Sequence, residues 1–276
     1  MKVCILGLGF VGSAMEQSFN VKNCYNKYDI HGYDKYKNIN TFDVCLDAQI
    51  IFLSLPTLYN SSLKSYEYDS IYETCYLLEK NDYKGVIVIK STVEPTLIEQ
   101  LAQKYKSLDF IHNPEFLTAK TAYEDFHNQK HIVLGKHHRC SDQKFSMVFD
   151  FYKNLYSDAE ISVCTSTESE SIKIFCNTFY AIKIQYFNEL YLLCQKINVN
   201  YDNIVRIMLK NGWINPMHTQ VPGTDGNLSY GGLCFPKDTN ALLEFMKKND
   251  SPHAVLEATI NERNNMRDDH DNIKKE

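Results

Sequence analysis

The run Ser229-Tyr230-Gly231-Gly232-Leu233-Cys234-Phe235-Pro236-Lys237-Asp238 gathers a thiol, an ammonium and a carboxylate behind two glycines. Glycines permit backbone shapes and close approaches that a Cβ resists, and Pro236 stiffens the chain after the cysteine. A thiol beside a lysine is a candidate nucleophile, because positive neighbours favour the thiolate. Read alone, the stretch also fits a buried structural cysteine followed by a helix cap, with Asp238 near the start of a helix over about 239–247.

A second group of residues opens the chain. Gly7-Leu8-Gly9-Phe10-Val11-Gly12 follows an apolar run over 2–6 and leads into a helix over 11–19. In this glycine pattern the first glycine makes the tight turn and the second lets a pyrophosphate approach the backbone. The third lets helix and strand pack closely, and the helix N-terminus receives the negative charge. Asp34 ends the next apolar run, 22 residues past Gly12. A carboxylate there suits ribose hydroxyls and favours NAD over NADP; as a lone residue it also fits a plain turn.

Further chemistry sits at the ends of apolar runs. Residues 47–55 end in Pro56-Thr57, residues 86–89 in Lys90-Ser91-Thr92, and residues 108–111 in His112-Asn113-Pro114-Glu115. Ligands of parallel sheets bind off the carboxyl ends of strands, which places Thr57, Thr92 and Glu115 along one edge. The bland alternatives are a helix cap for Thr92 and a turn carboxylate for Glu115. Lys173 and Asn177 are four apart on a long helical stretch and share a face. Such residues usually face water; turned into a cleft, they would donate hydrogen bonds to a sugar or an oxyanion.

The elements that must position these groups change character along the chain. Strands over 2–6, 29–33, 47–55, 86–89, 108–111, 132–135 and 161–163 alternate with helices near 66–81, 95–106 and 141–155. That is the rhythm of a doubly wound parallel sheet. The pattern predicts a Rossmann-type domain over 1–166 and an all-helical domain over 167–276 that carries the cysteine loop. In the helix over 168–196, Ile172, Phe175, Phe179, Ile182, Tyr186, Leu190 and Leu193 recur at three and four residues and predict a buried face. Its aromatics Phe175, Phe179, Tyr186 and Phe187 exceed what one small domain needs and point to a homodimer built on this helix. A shorter helix over 202–210 precedes a Gly/Pro/Asn-rich loop over 211–230, of a length that is usually functional or disordered. Helices over 239–248 and 253–266 follow, and the charged end over 267–276 reads as frayed.

Bulk properties narrow the classes. The formal net charge is −5 over 276 residues, so no basic field speaks for nucleic acid. No apolar run reaches membrane-spanning length, and the chain opens as a strand rather than a signal peptide. Nine scattered cysteines without CxxC read as a reduced, cytoplasmic protein with no disulfide framework and no zinc site. His137-His138 near Cys140 reads as a surface loop rather than a ligand set.

Taken in order, the glycine turn, Leu55-Pro56-Thr57, Lys90-Ser91-Thr92, Asn113 to Leu117, Glu170 to Asn177, Asn188-Glu189 and Gly231 to Asp238 resemble the UDP-glucose/GDP-mannose dehydrogenase family, nearer its UDP-glucose 6-dehydrogenase branch. The resemblance covers about residues 1–265. It implies oxidation of UDP-glucose to UDP-glucuronate by two NAD molecules in succession. By match, Cys234 would capture the aldehyde as a thiohemiacetal and then carry a thioester, and Lys173 would steady developing negative charge. Asn177 and Asp238 would organise a water and the reacting oxygens, and Glu115 would aid thioester hydrolysis with Thr92 nearby. The resemblance also implies cofactor contacts at Gly7, Gly9, Phe10, Val11, Gly12, Asp34, Lys35, Pro56, Thr57, Ser91, Thr92 and Lys237. It implies substrate contacts at Glu115, Phe116, Leu117, Lys173, Asn177, His218, Tyr230, Gly231 and Gly232.

Three departures stand out. Ala119 replaces a glutamate that tends to lie near the cofactor, and Trp213 stands where an arginine reaching the neighbouring subunit's substrate is expected. The family's usual C-terminal nucleotide-sugar-binding domain is not expected in this chain. Two other readings fit the same residues: a non-catalytic or partner-dependent relative that binds NAD or a nucleotide sugar, and a dehydrogenase of another nucleotide sugar.

Overall fold

In the computed structural model, which describes residues 1–269, strands and helices alternate before the chain turns helical. The first part runs β1 (Lys2–Leu6), α1 (Phe10–Lys22), β2 (Asp29–Tyr33), α2 (Asp43–Leu46), β3 (Ile50–Leu53), β4 (Tyr59–Asn60), β5 (Ser65–Tyr66), α3 (Asp69–Lys80), β6 (Val86–Ile89) and α4 (Leu97–Lys104). It continues through β7 (Asp109–His112), α5 (Ala122–His127), β8 (His131–Lys136), α6 (Asp142–Leu155) and β9 (Glu160–Thr165). Then come α7 (Ser166–Lys196), α8 (Tyr201–Met208), α9 (Phe235–Lys248) and α10 (Ala254–Met266). No helix among the described residues is long and apolar enough to cross a membrane.

The chain forms two compact units. One holds Met1–Thr57 and Glu67–Lys173; the other holds Leu58–Tyr66 and the chain from Ile174 onward. The compact units divide inside α7, after Lys173, and the β4–β5 hairpin belongs to the otherwise helical unit. The hairpin goes there because it docks on α9: Tyr66 Oη donates to Asp238, and Lys64 Nζ lies 3.3 Å from Glu244.

In the first unit a seven-stranded sheet has the order β2-β1-β3-β6-β7-β8-β9. The expected parallel pairing holds except at β7–β8, which is antiparallel, Ile111 opposite Lys136. Strand order reverses between β1 and β3, the crevice position for ligands of such sheets. The central strands β1, β3 and β6 are buried on both faces, as helices on both sides require. Val3, Ile5, Ile50, Phe52, Val86 and Val88 enter one core, while Cys4, Leu6, Ile51, Leu53, Ile87 and Ile89 enter the other. Phe19, Phe52, Phe126, Phe151 and Tyr152 interlock in the first, largely edge to face.

The face of α7 that looks inward is polar. Glu170, Lys173, Asn177, Thr178, Gln185 and Asn188 are buried at three- and four-residue spacing. Most of the apolar stripe predicted to be buried is turned outward instead: Phe175 is 53% exposed, Phe179 61%, Tyr186 54% and Leu193 51%, whereas Ile182 is half-buried and Leu190 packs against the core of the second unit. Ile172 also lies at the surface. Periodicity locates a stripe but does not say which stripe the rest of the same chain covers. Phe187 is the exception among the aromatics; it packs with Tyr201, Val205 and Val221 in the core of the second unit.

Buried polar groups require partners, and these have them. Glu170 accepts the backbone N–H of Thr96 at 2.8 Å and of Ile98 at 2.7 Å. It thereby caps α4, whose N-cap Thr96 sits at φ +80° with no side-chain cap of its own. Asn188 Oδ1 accepts Ser229 N–H at 2.9 Å, and Ser229 Oγ donates to Gln185. The 211–230 loop is thus tied to α7. It is also held at Met217 and Asn215, whose carbonyls accept from Lys183 Nζ, and at Thr219, whose carbonyl accepts from Tyr201 Oη at 2.6 Å. Arg267, expected in a frayed end, is anchored: its guanidinium donates to Asp225 at 2.8 Å, Leu228 O at 3.1 Å and Asp269 at 3.0 Å. The rest of that expected tail, residues 270–276, lies outside the described residues.

Burial raises the Glu170 carboxyl to about 7, against the pull of the Ile98 and Thr96 N–H groups. The folded state then binds more protons than the unfolded chain between the two pKa values, so this group's contribution falls as pH rises through about 7. Glu170→Gln keeps one acceptor and removes the titration. The melting temperature of Glu170→Gln minus that of the parent should rise between about pH 5 and about pH 8, measured by calorimetry. A difference that stays flat or falls would refute the buried charge.

Candidate active site

The glycine turn of the first unit performs the three tasks read from its spacing. Gly7 sits at φ +91°, where a Cβ would lie 2.4 Å from the Ser54 carbonyl oxygen. A Cβ on Gly12 would lie 1.8 Å from the Gly7 carbonyl oxygen, so α1 and β1 pack through it. A Cβ on Gly9 would meet nothing within 4 Å. No protein neighbour demands a glycine there, and the open space is what an approaching ligand needs. Gly9 is the N-cap of α1 without a side-chain cap, so the helix start keeps N–H groups for an anion.

Asp34 faces this turn. Its Oδ2 accepts Leu8 N–H at 2.9 Å, and its Oδ1 accepts Tyr36 and Lys37 N–H at 3.0 Å each. Burial pushes its carboxyl up, but the Leu8, Lys37 and Tyr36 donors outweigh that and hold it below the usual carboxylate range. An ionised acceptor beside a glycine turn fits the ribose of a dinucleotide. A cavity of about 470 Å³ adjoins it, lined by Gly9, Phe10, Ser13, Lys37, Ala119, Lys120 and Tyr123 among others. Lys35, read as a cofactor contact, turns instead to Glu73 at 3.2 Å on the surface. Lys37 and Lys120, which the sequence reading passed over, line the cavity. Proximity of Lys37 to Asp34 was the available signal for the first; only the fold reveals the second. Ala119 lies in the same wall, so the departure noted there falls at this cavity.

The strand ends are stapled together. Thr57 Oγ1 donates to Thr92 O at 2.7 Å, Ser91 Oγ donates to Leu55 O at 2.6 Å, and Leu55 N–H donates back to Ser91 Oγ at 3.0 Å. Thr92 and Glu115 follow neighbouring strands, β6 and β7, at their carboxyl ends. Glu115 Oε2 accepts Leu117 N–H at 2.8 Å, and its Oε1 lies 3.4 Å from Lys173 Nζ. Both side chains are largely buried. The Lys173 ammonium also stands 5.3 Å from the centre of the half-exposed Phe116 ring. The structure therefore brings Glu115, Phe116 and Lys173 together. His112 is fully buried, with Nδ1 2.8 Å from Ser169 Oγ.

In the second unit, α9 begins at Phe235, four residues before the predicted start, because Pro236 fits a first helical turn. This makes Cys234 the N-cap residue, and it is exposed. A helix start favours negative charge, so the residue stands at the helix end that suits an anion. One turn on, Asp238 is fully buried and holds three donors: Asn177 Nδ2 at 2.6 Å, Tyr66 Oη and Lys237 Nζ. Asn177 and Asp238 are thus paired as expected. Lys237, read as a cofactor contact, is committed to Asp238, with its ammonium 4.7 Å from the Tyr66 ring centre. Tyr66 escaped the sequence reading; nothing short of the hairpin's docking reveals it.

His218 stacks between Tyr180, 4.9 Å away centre to centre, and Phe235, 5.8 Å away. Burial first, and then the Lys183 charge, lower its pKa, which keeps a neutral imidazole beside the residue that follows the thiol. Gly232 takes φ +77°. Tyr230, read as a substrate contact, is buried; its carbonyl accepts Arg263 Nε–H at 3.1 Å. It supports the loop from inside. Trp213 is 92% exposed.

Away from these groups, Glu99, His137 and His138 bring three ligand-type atoms within 4.8 Å of one another. His137 is buried, not part of a surface loop, and so is Cys140. His137 Nδ1 accepts Arg139 N–H at 3.3 Å, so Nε2 carries the proton and donates to Glu99 at 2.8 Å.

Comparison with known proteins agrees with the fold. Residues 31–156 match the NAD binding domain, and residues 167–265 the central domain, of the UDP-glucose/GDP-mannose dehydrogenase family. A UDP-glucose 6-dehydrogenase of Campylobacter jejuni is 26% identical over 97% of this chain and 72% of its own length. One from Rickettsia bellii is 31% identical over 78% of this chain, and the match spans about half of that relative, 49%. Among solved structures, a UDP-glucose dehydrogenase from Pyrobaculum islandicum superposes with a TM-score of 0.81 at 22% identity, over 96% of this chain and 68% of its own.

The glycine geometry separates binding from folding. Gly9→Ala should fold normally and weaken NAD binding by about tenfold or more, because the methyl group occupies ligand space. Gly12→Ala should lose folded protein. Titration calorimetry beside circular dichroism checks both; unchanged NAD affinity in Gly9→Ala would refute the placement of the dinucleotide.

Proposed function

Because this chain belongs to the UDP-glucose/GDP-mannose dehydrogenase family, we propose that it oxidises the primary alcohol of a nucleotide sugar to a carboxylate with NAD, with UDP-glucose as the substrate. The observation that carries this reading is an exposed thiol at the head of α9, one turn ahead of an Asp238 paired with Asn177. The substrate assignment draws on Val221 to Gly226, which resembles the UDP-glucose branch.

The glycine turn would take the pyrophosphate on the α1 N-terminus, and Asp34 would take the ribose hydroxyls. When bound, NAD accepts a hydride from the reacting carbon, once in each oxidation. After the first oxidation, the Cys234 sulfur adds to the aldehyde carbon and the carbonyl oxygen gains a proton, which gives a thiohemiacetal. The second oxidation removes that hydroxyl proton and the carbon's hydride, leaving a thioester. Lys173 stabilises the oxyanion wherever charge gathers on that oxygen. A water, its proton taken by Glu115, attacks the thioester carbon; the C–S bond breaks and the thiolate leaves. The sum is one alcohol, two NAD and one water giving one carboxylate, two NADH and three protons.

We further propose a homodimer through the outward stripe of α7, where Phe175, Phe179 and Tyr186 are exposed. Apolar stripes of this kind mark association surfaces. Sedimentation should give a dimer, and Phe179→Glu should yield monomer; a monomeric parent protein would remove the idea.

Two NADH should form per UDP-glucose. Cys234→Ser should cut the double oxidation by at least about a hundredfold while NAD binding persists. A panel of nucleotide sugars, scored by NADH per sugar, decides the substrate. Binding without any turnover would favour the non-catalytic reading, and full turnover by Cys234→Ser would defeat the thioester route.

A further inference from the structure

Lys90 follows β6 and turns into the interior of the first unit, where it is 3% exposed. Its ammonium donates to Asn113 Oδ1 at 2.9 Å and to the Pro114 carbonyl at 3.4 Å. It also stands 5.5 Å from the centre of the Phe126 ring. Tyr152 Oη donates to the same Asn113 oxygen, and Asn113 Nδ2 donates to Val133 O at 2.7 Å. The two residues that precede Glu115 are therefore gripped from inside by buried polar side chains.

A buried ammonium is expensive, and an apolar side chain of similar length would fill this space with no desolvation. The charged groups that face Lys90 are Glu115, which favours its protonated form, and Lys173, which disfavours it. Of the other titratable neighbours, burial pushes the Tyr152 hydroxyl well above its usual range, and His112 is held near 3 by burial, with the Lys90 and Lys173 charges adding to the effect, so both stay neutral. Burial dominates at Lys90 and brings it down to about 7, in spite of Glu115. The lysine therefore changes charge close to neutral pH, within the electrostatic reach of the Glu115–Lys173 pair.

We propose that Lys90 is a positioning residue for Glu115, fixing the Asn113-Pro114 turn and setting the positive charge that the Glu115 carboxylate faces. The catalytic part of this inference rests on Glu115 being the base of thioester hydrolysis. With Lys90 protonated the Glu115 carboxylate faces two ammonium groups, and with Lys90 neutral it faces Lys173 alone. The rate of hydrolysis should accordingly change as pH passes through about 7.

The test compares the parent protein with Lys90→Met, which removes both the donor and the charge, and Lys90→Gln, which keeps a donor alone. The side-chain carboxyl of ¹³C-labelled Glu115, assigned with Glu115→Gln, is titrated by NMR, and turnover is followed in parallel. The parent should show an inflection near 7 in the Glu115 signal that both variants lack. Lys90→Met should lower kcat by about tenfold or more with a small change in KM, its melting temperature at about pH 6 being unchanged or higher. Lys90→Gln should lose less kcat and show no limb near pH 7. An inflection that survives in the variants, or a lower melting temperature with kcat and pH profile intact, would overturn the proposal. If Lys90→Met does not fold, Lys90→Gln decides alone on the same criteria. The NMR signal reads the pair without turnover, so an inactive parent protein would strike the oxidation reading and leave the charge coupling to be judged by itself.

Discussion

A helix whose inward face is polar obliges everything packed against it to supply matching hydrogen bonds. That is the condition α7 imposes. An unpaired amide or carboxyl at such depth is strongly unfavourable, so its partners are fixed. Glu170 must hold the start of α4, Lys173 must hold Glu115, Asn177 must hold Asp238, and Gln185 and Asn188 must hold Ser229. Each of these is a positional demand that apolar packing does not make, because an apolar contact tolerates sliding and a hydrogen bond does not. The groups with chemistry thus inherit their places from a requirement of folding.

The first unit was legible because its signals are local. Buried strands read as unbroken apolar runs, and the glycine turn carries its geometry in its spacing: Gly7 by backbone angle, Gly12 by close packing and Gly9 by the space it leaves open. The pair Asn177–Asp238 came from family resemblance and was found at contact, and Glu115 and Lys173, which the resemblance gave separate roles, meet as well. What escaped depends on which surface meets which. The stripe on α7 was real, yet most of it faces outward, with Leu190 alone packed on a core, since periodicity is blind to what lies opposite. Lys37 and Lys120 enter the cavity wall through loop placement, and Tyr66 reaches Asp238 only through the hairpin's docking. The antiparallel turn of β8 leaves no mark in composition. Arg267 read as tail because charge suggests solvent, whereas its partners are carbonyls and carboxylates set by the fold.

The two kinds of carboxylate here differ in freedom. Asp238 has three donors on two oxygens and no exposure, so it acts as a fixed acceptor with little room to move. Glu115 has one backbone donor and a lysine 3.4 Å away, which leaves lone pairs for a water. That contrast suits a holder of geometry and a carrier of protons respectively. Cys234 differs from both, lying exposed at a helix head where the electrostatic gain does not require burial.

Gly231 gives the last point. A Cβ there would lie 2.3 Å from the Arg267 guanidinium, and that group cannot swing aside without leaving Asp225, Asp269 and the Leu228 carbonyl. A side chain at 231 finds room only where Arg267 is shortened or turned away, and either change unties the cysteine loop from the far end of the chain.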